Sequence, residues 1–347
     1  MLHTLEFYTN ISQHEKVQIE GYYKKNIKQI VDQLSCEFGN LELRIGRQLW
    51  NKSHNVYLRF DIVKLLDRQE DGLITEADYP EIQSYIEALE SKLFIGLEKQ
   101  FILNRIDYRV DFKVSDIEQR KCLFHLWRKM AHSYGHLKKR TKKVNSKIRV
   151  VDGKETYVSE KTFKTTLYLA SKSLVVCVYD KEAERLAKGI TSKDYEQDVI
   201  RFEVRLMAKH LAYKARENKR ERSLEAYMQK SCFNEYIQKY IINIFGTQDF
   251  HKINVVREKL RPTEISAKEQ LKIVEFLKLI SRSGVEAAIA YRTSKRKKKS
   301  GYSRYLMKKY QSILSSIGVH IILLPIRAKV KEDILNNPLK RLVEEEQ

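Results

Sequence analysis

The segment that decides the fold is RIDYRVDF, residues 105–112. Apolar and charged side chains alternate along it without a break. Successive side chains of a β-strand point to opposite faces, so this alternation predicts a strand with one face that packs in a core and one that does not. The packed face holds Ile106, Tyr108, Val110 and Phe112, and the opposite face holds Arg105, Asp107, Arg109 and Asp111.

Two later segments divide in the same way. In IRFEVRL, residues 200–206, the face opposite the apolar one presents Arg201, Glu203 and Arg205. In LVVCVYDK, residues 174–181, the polar face ends in Tyr179 and Lys181. If these strands share one sheet with residues 105–112, their polar faces gather carboxylates, a phenol and an ammonium group.

Further alternating runs cover residues 55–63 and 162–170. In the first run, Tyr57, Arg59 and Asp61 face the same way. The tripeptide SKS, residues 171–173, is short enough to join 162–170 to 174–181 as a hairpin. Hairpins of this kind favour an antiparallel sheet.

Apolar residues at helical spacing predict helices over residues 80–97, 117–133 and 181–188, and the chain reads mainly as helix after about Met207. Pro80 suits the first turn of its helix, where an N–H is not needed. With 347 residues there is room for two cores. We therefore predict an α+β fold: a domain with a central antiparallel sheet and flanking helices over residues 1–212, then a mainly helical domain over 213–347.

The charge of the chain indicates a polyanionic partner. Lys and Arg number 66 against 45 Asp and Glu, which gives a formal charge of +21. No apolar stretch has membrane-spanning length and no secretory leader is evident, so we expect nucleic acid in the cytoplasm of a bacterial host rather than a membrane. The four cysteines form no CxxC pair, and neither a Walker-type loop nor a GxGxxG turn is present, which argues against zinc modules, disulfides and nucleotide binding.

Three basic runs, residues 138–143, 214–222 and 295–299, are candidates for contact with DNA phosphates. Each could instead be a solvated surface. On a chain with this excess of positive charge, the three together favour DNA contact. We expect DNA contacts from three groups of residues: Lys138, Lys139, Arg140, Arg296 and Lys297 of the first and third runs, Arg105, Arg109, Arg201 and Arg205 of the polar strand faces, and Arg304.

The residues of the polar strand faces suit phosphodiester cleavage. Carboxylate oxygens from Asp107, Asp111 and Glu203 are hard ligands that suit Mg²⁺ or Mn²⁺. Tyr179 would be the nucleophile and Lys181 would stabilise phosphate charge. The alternative is a half-exposed sheet whose outer face carries only cross-strand ion pairs.

The same segments resemble motifs of rolling-circle replication initiators, in the trans-acting plasmid type and the filamentous-phage gene II and gene X type. RIDYRVDF resembles their Arg-hydrophobic-Asp strand. TTLYLASKSLVVCVYDKEAER, residues 165–185, looks like the hairpin that ends in their Tyr-x-Lys motif. IRFEVRL resembles their Arg-x-Glu strand, and the three motifs follow the order of the family.

The resemblance implies a metal-dependent nickase that starts replication at a DNA origin. It matches Tyr179 to the tyrosine that forms a 5′-phosphotyrosine and leaves a free 3′-hydroxyl, and Lys181 to the lysine of that motif. It matches Asp107, Asp111 and Glu203 to acidic positions near the metal. A host helicase and polymerase would act as partners. The chain departs from many such enzymes because none of its nine histidines forms a His-hydrophobic-His pair.

The predicted helical domain supplies a candidate for duplex recognition. Helices are predicted over residues 269–280 and 302–317, a Ser-Arg-Ser-Gly turn follows the first, and Gly318 is well placed as the C-cap of the second. The segment 269–318 is consistent with a helix-turn-helix that carries Arg304 on its polar side. The alternative is a helical bundle with a structural role.

Three rival functions stay open at this stage. A conjugative relaxase would use the same chemistry on a strand with another destination. A DNA-binding regulator without catalytic activity would need the basic surface and the C-terminal helices but not Tyr179. An RNA-binding protein would present exposed aromatic rings at the centre of its sheet, and the carboxylates of the predicted face oppose that reading.

Overall fold

The computed structural model describes residues 2–47, 53–66, 74–130, 136–139, 149–151, 154–156, 165–294 and 303–344. Over these residues the fold is α+β, as predicted, and after Met207 the elements are helices apart from two strands of two residues each. The strands are β1 Leu2–Ile11, β2 Leu41–Arg47, β3 His54–Asp61, β4 Ile102–Lys113, β5 Lys138–Lys139, β6 Arg149–Val151, β7 Lys154–Thr156, β8 Thr166–Ala170, β9 Leu174–Asp180, β10 Val199–Met207, β11 Phe250–His251 and β12 Ile334–Leu335. The α-helices are α1 Gln13–Tyr23, α2 Ile27–Phe38, α3 Ile62–Leu65, α4 Tyr79–Leu93, α5 Ile117–Met130, α6 Lys181–Ala187, α7 Ala208–Arg216, α8 Leu224–Met228, α9 Lys230–Ile237, α10 Asn243–Phe245, α11 Ile253–Leu260, α12 Ala267–Ser294, α13 Arg304–Ser316 and α14 Arg341–Glu344.

Eight of these strands form one sheet in the order β2-β3-β1-β4-β10-β9-β8-β5. Seven are full strands, and β5 adds two residues at one edge. Strand β1 is antiparallel to both of its neighbours, β3 and β4, and β2 and β5 are antiparallel to theirs. The predicted central antiparallel sheet is therefore confirmed. The other strands form two separate pairs, β6 with β7 and β11 with β12.

The sequence pattern predicted most of this sheet correctly. The five alternating runs are β3, β4, β8, β9 and β10, and residues 171–173 join the neighbouring strands β8 and β9. The five predicted helices are α4, α5, α6, the first part of α12, and α13. Strand β1 was not predicted because its alternation is broken: Thr4 and Leu5 are both buried, and the pairing with β4 shifts register between Leu2 and Thr4.

The chain divides into two compact units that interleave in sequence. The first contains Met1–Val110, Lys172–Val175 and Glu203–Ile237, and the second contains Asp111–Ser171, Val176–Phe202 and Gln238–Gln347. The predicted domain boundary between residues 212 and 213 falls inside Glu203–Ile237 of the first unit. The assignment of catalysis to residues 1–212 and of DNA binding to 213–347 therefore stays a functional prediction.

The core of the first unit packs two amphipathic helices with the sheet. Helix α2 contacts both β2 and α4. It begins at the N-cap Asn26, whose side chain accepts a hydrogen bond from the Gln29 N–H in a capping box. Phe7 and Phe60 stack across β1 and β3 with ring centroids 5.9 Å apart. The buried positions recur every three or four residues: Ile27, Ile30, Val31 and Leu34 in α2, and Ile82, Ile86, Leu89 and Leu93 in α4.

In the second unit, the core forms around α5. Its buried Trp127 packs edge-on against Phe202, with ring centroids 5.0 Å apart. Helix α12 also packs on α5 and breaks at Gly284, where φ is 80° and ψ is 162°. A Cβ at Gly284 would lie 3.3 Å from the carbonyl oxygen of Lys129, so both the backbone conformation and the close approach favour glycine. The Ser-Arg-Ser-Gly turn predicted at this point is confirmed as the break in the helix.

The described helices include none that is both long enough and apolar enough to cross a membrane. Even α12, with 28 residues, carries Lys, Arg and Glu throughout its length.

A buried histidine links the C-terminal segments of the second unit. His320 is 2% exposed, and its Nε2 lies 2.8 Å from the Phe245 carbonyl oxygen while its Nδ1 accepts a hydrogen bond from the Ile322 N–H. Burial lowers the pKa of His320 to about 4 against the opposing effect of these two hydrogen bonds. Burial also lowers the pKa of the neighbouring His251. Both side chains are therefore neutral in the folded protein at neutral pH.

We predict that the second unit loses stability as the pH falls from about 6.5 to 4, because the unfolded chain takes up a proton on His320 that the folded protein excludes. The contribution of His320 is about 3 kcal/mol of unfolding free energy. Urea unfolding followed by tryptophan fluorescence, to which Trp127 of the same unit contributes, measures it. His320→Gln should reduce the pH dependence, whereas His14→Gln, at an exposed position, should not. An unchanged pH profile in His320→Gln would contradict this prediction.

Candidate active site

Four charged side chains of the first unit form a cluster on β4 and β10, which we call the β4–β10 cluster: Arg105, Asp107, Glu203 and Arg205. Arg105 holds Asp107 through two parallel hydrogen bonds, from Nε to Oδ1 at 2.8 Å and from Nη2 to Oδ2 at 2.6 Å. Arg205 donates to Glu203 Oε2 from Nε at 2.9 Å and from Nη2 at 2.6 Å. Its Nε also lies 3.7 Å from Asp107 Oδ2, which links the two pairs.

Both carboxylates of this cluster are buried, Asp107 at 2% exposure and Glu203 at 3%. Burial raises the pKa of Asp107, the charge of Glu203 adds to that effect, and Arg105 and Arg205 oppose it. A buried carboxylate whose ionised form is disfavoured even beside two guanidinium groups is typical of functional sites. The predicted approach of Asp107 and Glu203 to each other is present, with arginines between them.

The arginine contacts bear on the predicted metal site. Both oxygens of Asp107 accept hydrogen bonds from Arg105, and Asp111 is held by Arg201 through bonds of 2.7 and 2.8 Å. Within the described residues, no group of three or more His, Cys, Asp or Glu side chains is arranged to hold a metal ion. In this arrangement Asp107, Asp111 and Glu203 do not fit a metal site. A requirement for Mg²⁺ or Mn²⁺ stays a prediction that rests on the resemblance.

The predicted nucleophile lies in the second unit, where β9 passes directly into α6. Asp180 ends the strand and caps the helix, because its side chain accepts a hydrogen bond from the Ala183 N–H at 3.0 Å. Tyr179 precedes this cap and Lys181 follows it. Lys181 Nζ lies 6.0 Å from the centroid of the Tyr179 ring. The predicted pairing of phenol and ammonium is therefore present at one strand end.

Lys181 is 7% exposed and lies between two carboxylates. Its Nζ is 3.1 Å from Glu184 Oε2 and 3.5 Å from Glu196 Oε1. Glu196 is 1% exposed and also accepts hydrogen bonds from Arg185. Burial would raise the pKa of Glu196, but Arg185, the Lys193 N–H and Lys181 together lower it. Glu196 therefore stays ionised and orients the Lys181 ammonium group.

Arg120 of α5 fixes the start of α6 from the opposite side. It is 4% exposed, its Nε lies 3.3 Å from Asp180 Oδ2, and its Nη2 lies 3.4 Å from Glu182 Oε2. It also pairs with Asp198 and donates to the Val114 carbonyl oxygen at 2.7 Å. Because Asp180 and Glu182 flank Lys181 in sequence, these contacts hold the strand end that carries Tyr179.

The polar strand faces are more deeply buried than the alternation predicts. Tyr179 is 8% exposed, Arg109 is 3% exposed and Arg201 is 2% exposed. The interpretation of Arg109 and Arg201 as surface contacts for DNA is therefore corrected, since in this conformation both lie inside the protein. Arg105 and Arg205 keep 14% and 25% of their side-chain surface and are engaged with carboxylates.

The structure places the basic residues of the three predicted DNA-binding segments in different environments. Lys138 and Lys139 form β5 and pair with Ala170 and Leu169 of β8 at the sheet edge, where Lys138 is exposed. Arg304 is the first residue of α13. Arg140, Arg296 and Lys297 lie outside the described residues.

Helix α13 carries Lys308 and Lys309 and no carboxylate of its own, and Lys309 Nζ lies 2.5 Å from Glu269 Oε1 of α12. Its inner face is fixed by Tyr310, 2% exposed, whose ring packs edge-on on Phe276 of α12 with centroids 5.3 Å apart. On the outer face Tyr305 is 75% exposed, and Lys308 is exposed one turn further along. Gly318 follows the helix with φ of 69°, so the predicted C-terminal stop is confirmed. A helix-turn-helix function for this region stays a prediction.

Sequence reasoning missed the residues that surround Lys181. The helical spacing of Lys181 and Glu184 would have indicated their contact, because residues three apart are neighbours on a helix. Nothing in the sequence indicates that Glu196 and Arg120 reach the same strand end, since these contacts join segments that are distant in the chain.

We predict that Asp107→Asn lowers the unfolding free energy by about 2 kcal/mol, because its amide nitrogen replaces an oxygen that accepts a hydrogen bond from Arg105 and leaves a buried donor unpaired. Chemical denaturation measures the change. Arg105→Gln combined with Asp107→Asn should cost less than the sum of the single variants. Asp32→Asn, on the exposed side of α2, is the control and should change stability by less than about 0.5 kcal/mol. Wild-type stability of Asp107→Asn would show that the ion pair has no structural role.

No model of a known protein family matches this chain, and no curated protein matches it. The resemblance to rolling-circle initiators therefore rests on three short motifs. The function has to be argued from the residues themselves.

Proposed function

We propose that this protein is a replication initiator that nicks one strand of DNA by tyrosine transesterification. The observation that carries the proposal is the β9–α6 junction, where Tyr179 has the Lys181 ammonium group 6.0 Å from its ring centroid. Lys181 is held by Glu184 and Glu196 at 3.1 and 3.5 Å. A tyrosine at a strand end can act as the nucleophile on a phosphate, and an oriented cation beside it can stabilise the negative charge that develops.

In the proposed reaction the Tyr179 hydroxyl gives up its proton as its oxygen bonds to phosphorus, the bond from phosphorus to the 3′-oxygen breaks, and the 3′-oxygen takes up a proton. The products are a 5′-phosphotyrosine and a free 3′-hydroxyl, which a polymerase can extend. Lys181 would offset the negative charge that develops on the phosphate. A bound Mg²⁺ or Mn²⁺ would polarise the phosphate, and that part of the proposal rests on the resemblance.

Access to Tyr179 requires a change from the present conformation. The side chain is 8% exposed, which is too little for a backbone phosphate to approach its oxygen. The proposal therefore includes a rearrangement on DNA binding that brings the phenol to the surface. Such rearrangements are frequent in proteins that bind regulatory partners.

Recognition of an origin also needs contacts with base edges in the grooves of duplex DNA, because phosphate contacts alone carry no sequence information. Helix α13 suits this role. Its outer face offers Tyr305 and Lys308, and its whole sequence, RYLMKKYQSILSS, contains no carboxylate to repel phosphates. Short serine side chains at 312 and 315 on the same face would allow the helix to approach a groove closely.

Two alternative functions are consistent with the same observations. A DNA-binding regulator without catalytic activity is favoured by the burial of Tyr179 and by the arginines that neutralise Asp107 and Glu203. A conjugative relaxase would share the chemistry and differ in the destination of the strand. The presence or absence of a covalent adduct separates the regulator from both enzymes.

We predict that the full chain forms a covalent adduct with single-stranded DNA from its origin in the presence of Mn²⁺, and that Tyr179→Phe abolishes it because the attacking oxygen is gone. A denaturing gel of labelled oligonucleotides detects the adduct. Tyr195→Phe is the control: its buried hydroxyl has no hydrogen-bond partner among the described residues, so its removal should leave the first adduct unchanged. Binding to the origin without any adduct would favour the regulator.

We predict that Lys308→Ala weakens binding to duplex DNA and reduces the slope of log K against log salt by about 1, as expected for one lost phosphate contact. Fluorescence anisotropy of a labelled duplex at several salt concentrations measures both quantities. Lys268→Ala, at an exposed position in the first turn of α12, is the matched control. Equal losses from the two substitutions would mean that α13 has no special role.

A further inference from the structure

The described part of β1, β2 and β3, in the first unit, has an open face that carries aromatic side chains. The register sets Arg44 of β2 opposite Tyr57 of β3, Tyr57 opposite Tyr8 of β1, and Tyr8 opposite Ile102 of β4. We call these four side chains the tyrosine row. Tyr8 and Tyr57 are half-buried, and Ile102 is 43% exposed. Tyr57, Tyr8 and Ile102 therefore form a largely apolar surface that reaches solvent, with Arg44 at one end.

The Tyr8 and Tyr57 rings are neighbours across β1 and β3 and lie in a loosely stacked arrangement. Their centroids are 6.4 Å apart, and their planes differ by 30°. Tyr57 reaches over Gly46 of β2, where an added Cβ would lie 3.8 Å from its Cε2 atom. Arg222 Cζ lies 5.1 Å from the centroid of the Tyr8 ring, and both rings keep part of their surface exposed for contact with a flat ligand.

A chain of hydrogen bonds fixes the orientation of Tyr57. Asn55 Nδ2 donates to the Tyr57 hydroxyl at 3.2 Å, and Asn10 Nδ2 donates to Asn55 Oδ1 at 3.0 Å. Asn10 Nδ2 also lies 3.0 Å from Ser53 Oγ. These hydrogen bonds restrict the Tyr57 side chain before any ligand binds. Binding of a ligand therefore costs little side-chain entropy at this position, which favours affinity.

A guanidinium group lies near each end of the row. Arg222 Cζ is 5.1 Å from the centroid of the Tyr8 ring, and its Nε donates to the Leu103 carbonyl oxygen at 2.6 Å. At the other end Arg44 keeps 51% of its side-chain surface exposed, and its Nε is 3.1 Å from Glu42. Glu6 of β1 also lies 3.9 Å from Arg44 Nη2, so a phosphate would share Arg44 with two carboxylates. A ligand with flat apolar rings and negative groups beside them matches this arrangement.

We propose that the tyrosine row binds single-stranded DNA, with neighbouring bases stacked on Tyr8 and Tyr57 and phosphates in contact with Arg44 and Arg222. Unpaired bases expose their faces, whereas those of a duplex are stacked on each other, so the row selects single strands. The inference rests on the proposed function for the choice of DNA rather than RNA. It assigns the binding of the strand to residues other than the nucleophile.

The test measures binding in the absence of cleavage. The full chain carrying Tyr179→Phe is titrated, without divalent metal, against a fluorescein-labelled thymidylate oligonucleotide of about 12 residues, and anisotropy is read. Tyr8→Leu and Tyr57→Leu should each weaken binding by about tenfold, the effect of losing one stacked base. Tyr8→Phe and Tyr57→Phe keep the ring and should stay within about twofold of the parent.

Three further measurements make the result specific. Tyr22→Leu is the matched control, since Tyr22 is 63% exposed on α1 and packs only edge-on against Tyr23, and it should leave affinity unchanged. The Leu variants should weaken binding equally at low and high salt, because stacking does not release counterions, whereas Arg44→Gln should reduce the salt slope by about 1. Thermal melting and circular dichroism check that each variant is folded.

Several outcomes would overturn the inference: parental affinity in folded Leu variants, equal losses in the Phe and Leu variants, or tighter binding of a uridylate oligonucleotide than of thymidylate. These are distinguishable from failure of the proposed function. Formation of the Tyr179 adduct together with normal DNA binding by the Leu variants would support the proposed nicking activity and contradict the role of the tyrosine row. A chain that shows the stacking pattern without an adduct would retain the row as a DNA-binding surface.

Discussion

Folding of this protein must remove charged side chains from water within the strands of its sheet. Asp107, Arg109, Arg201 and Glu203 on β4 and β10 are each 3% exposed or less. Charges at that depth are tolerated only when they are paired and hydrogen-bonded. The bidentate bonds of Arg105 to Asp107 and of Arg201 to Asp111 supply such partners. Apolar residues of similar volume would often be at least as stable, so retention of these charges suggests a functional reason.

The same principle shapes the β9–α6 junction in the second unit. Lys181 is nearly buried, and its charge is matched by Glu184 and Glu196. Arg120 is nearly buried as well, and it is matched by Asp180, Glu182 and Asp198. The strand end that carries Tyr179 is therefore held by ion pairs on its flanks. These contacts fix the strand end in the present conformation, so exposure of the Tyr179 phenol for the proposed attack requires some of them to break.

Three kinds of DNA contact are combined in the proposed activity, and each suits a different part of the chain. Stacking on aromatic rings suits the tyrosine row of β1 to β4. Covalent attack suits the phenol of Tyr179 beside its oriented lysine. Groove contact suits α13, where Tyr305 is 75% exposed on a helix without carboxylates. The excess charge of +21 would then serve association with DNA in general, since phosphate contacts are largely independent of sequence.

The sequence by itself determined the α+β class, five strands of the sheet, the helices α4, α5, α6, the first part of α12 and α13, and the face to which each strand residue points. These follow from periods of two and of about 3.6 residues, which are local properties of the chain. Only the tertiary structure decided that the polar face at Arg109 and Arg201 is covered, because alternation separates two faces without saying what packs on either. It also decided that Tyr8 lies beside Tyr57 and that Glu196 reaches Lys181. Strand register and loop closure join residues that are far apart in the sequence, so no local pattern encodes those contacts.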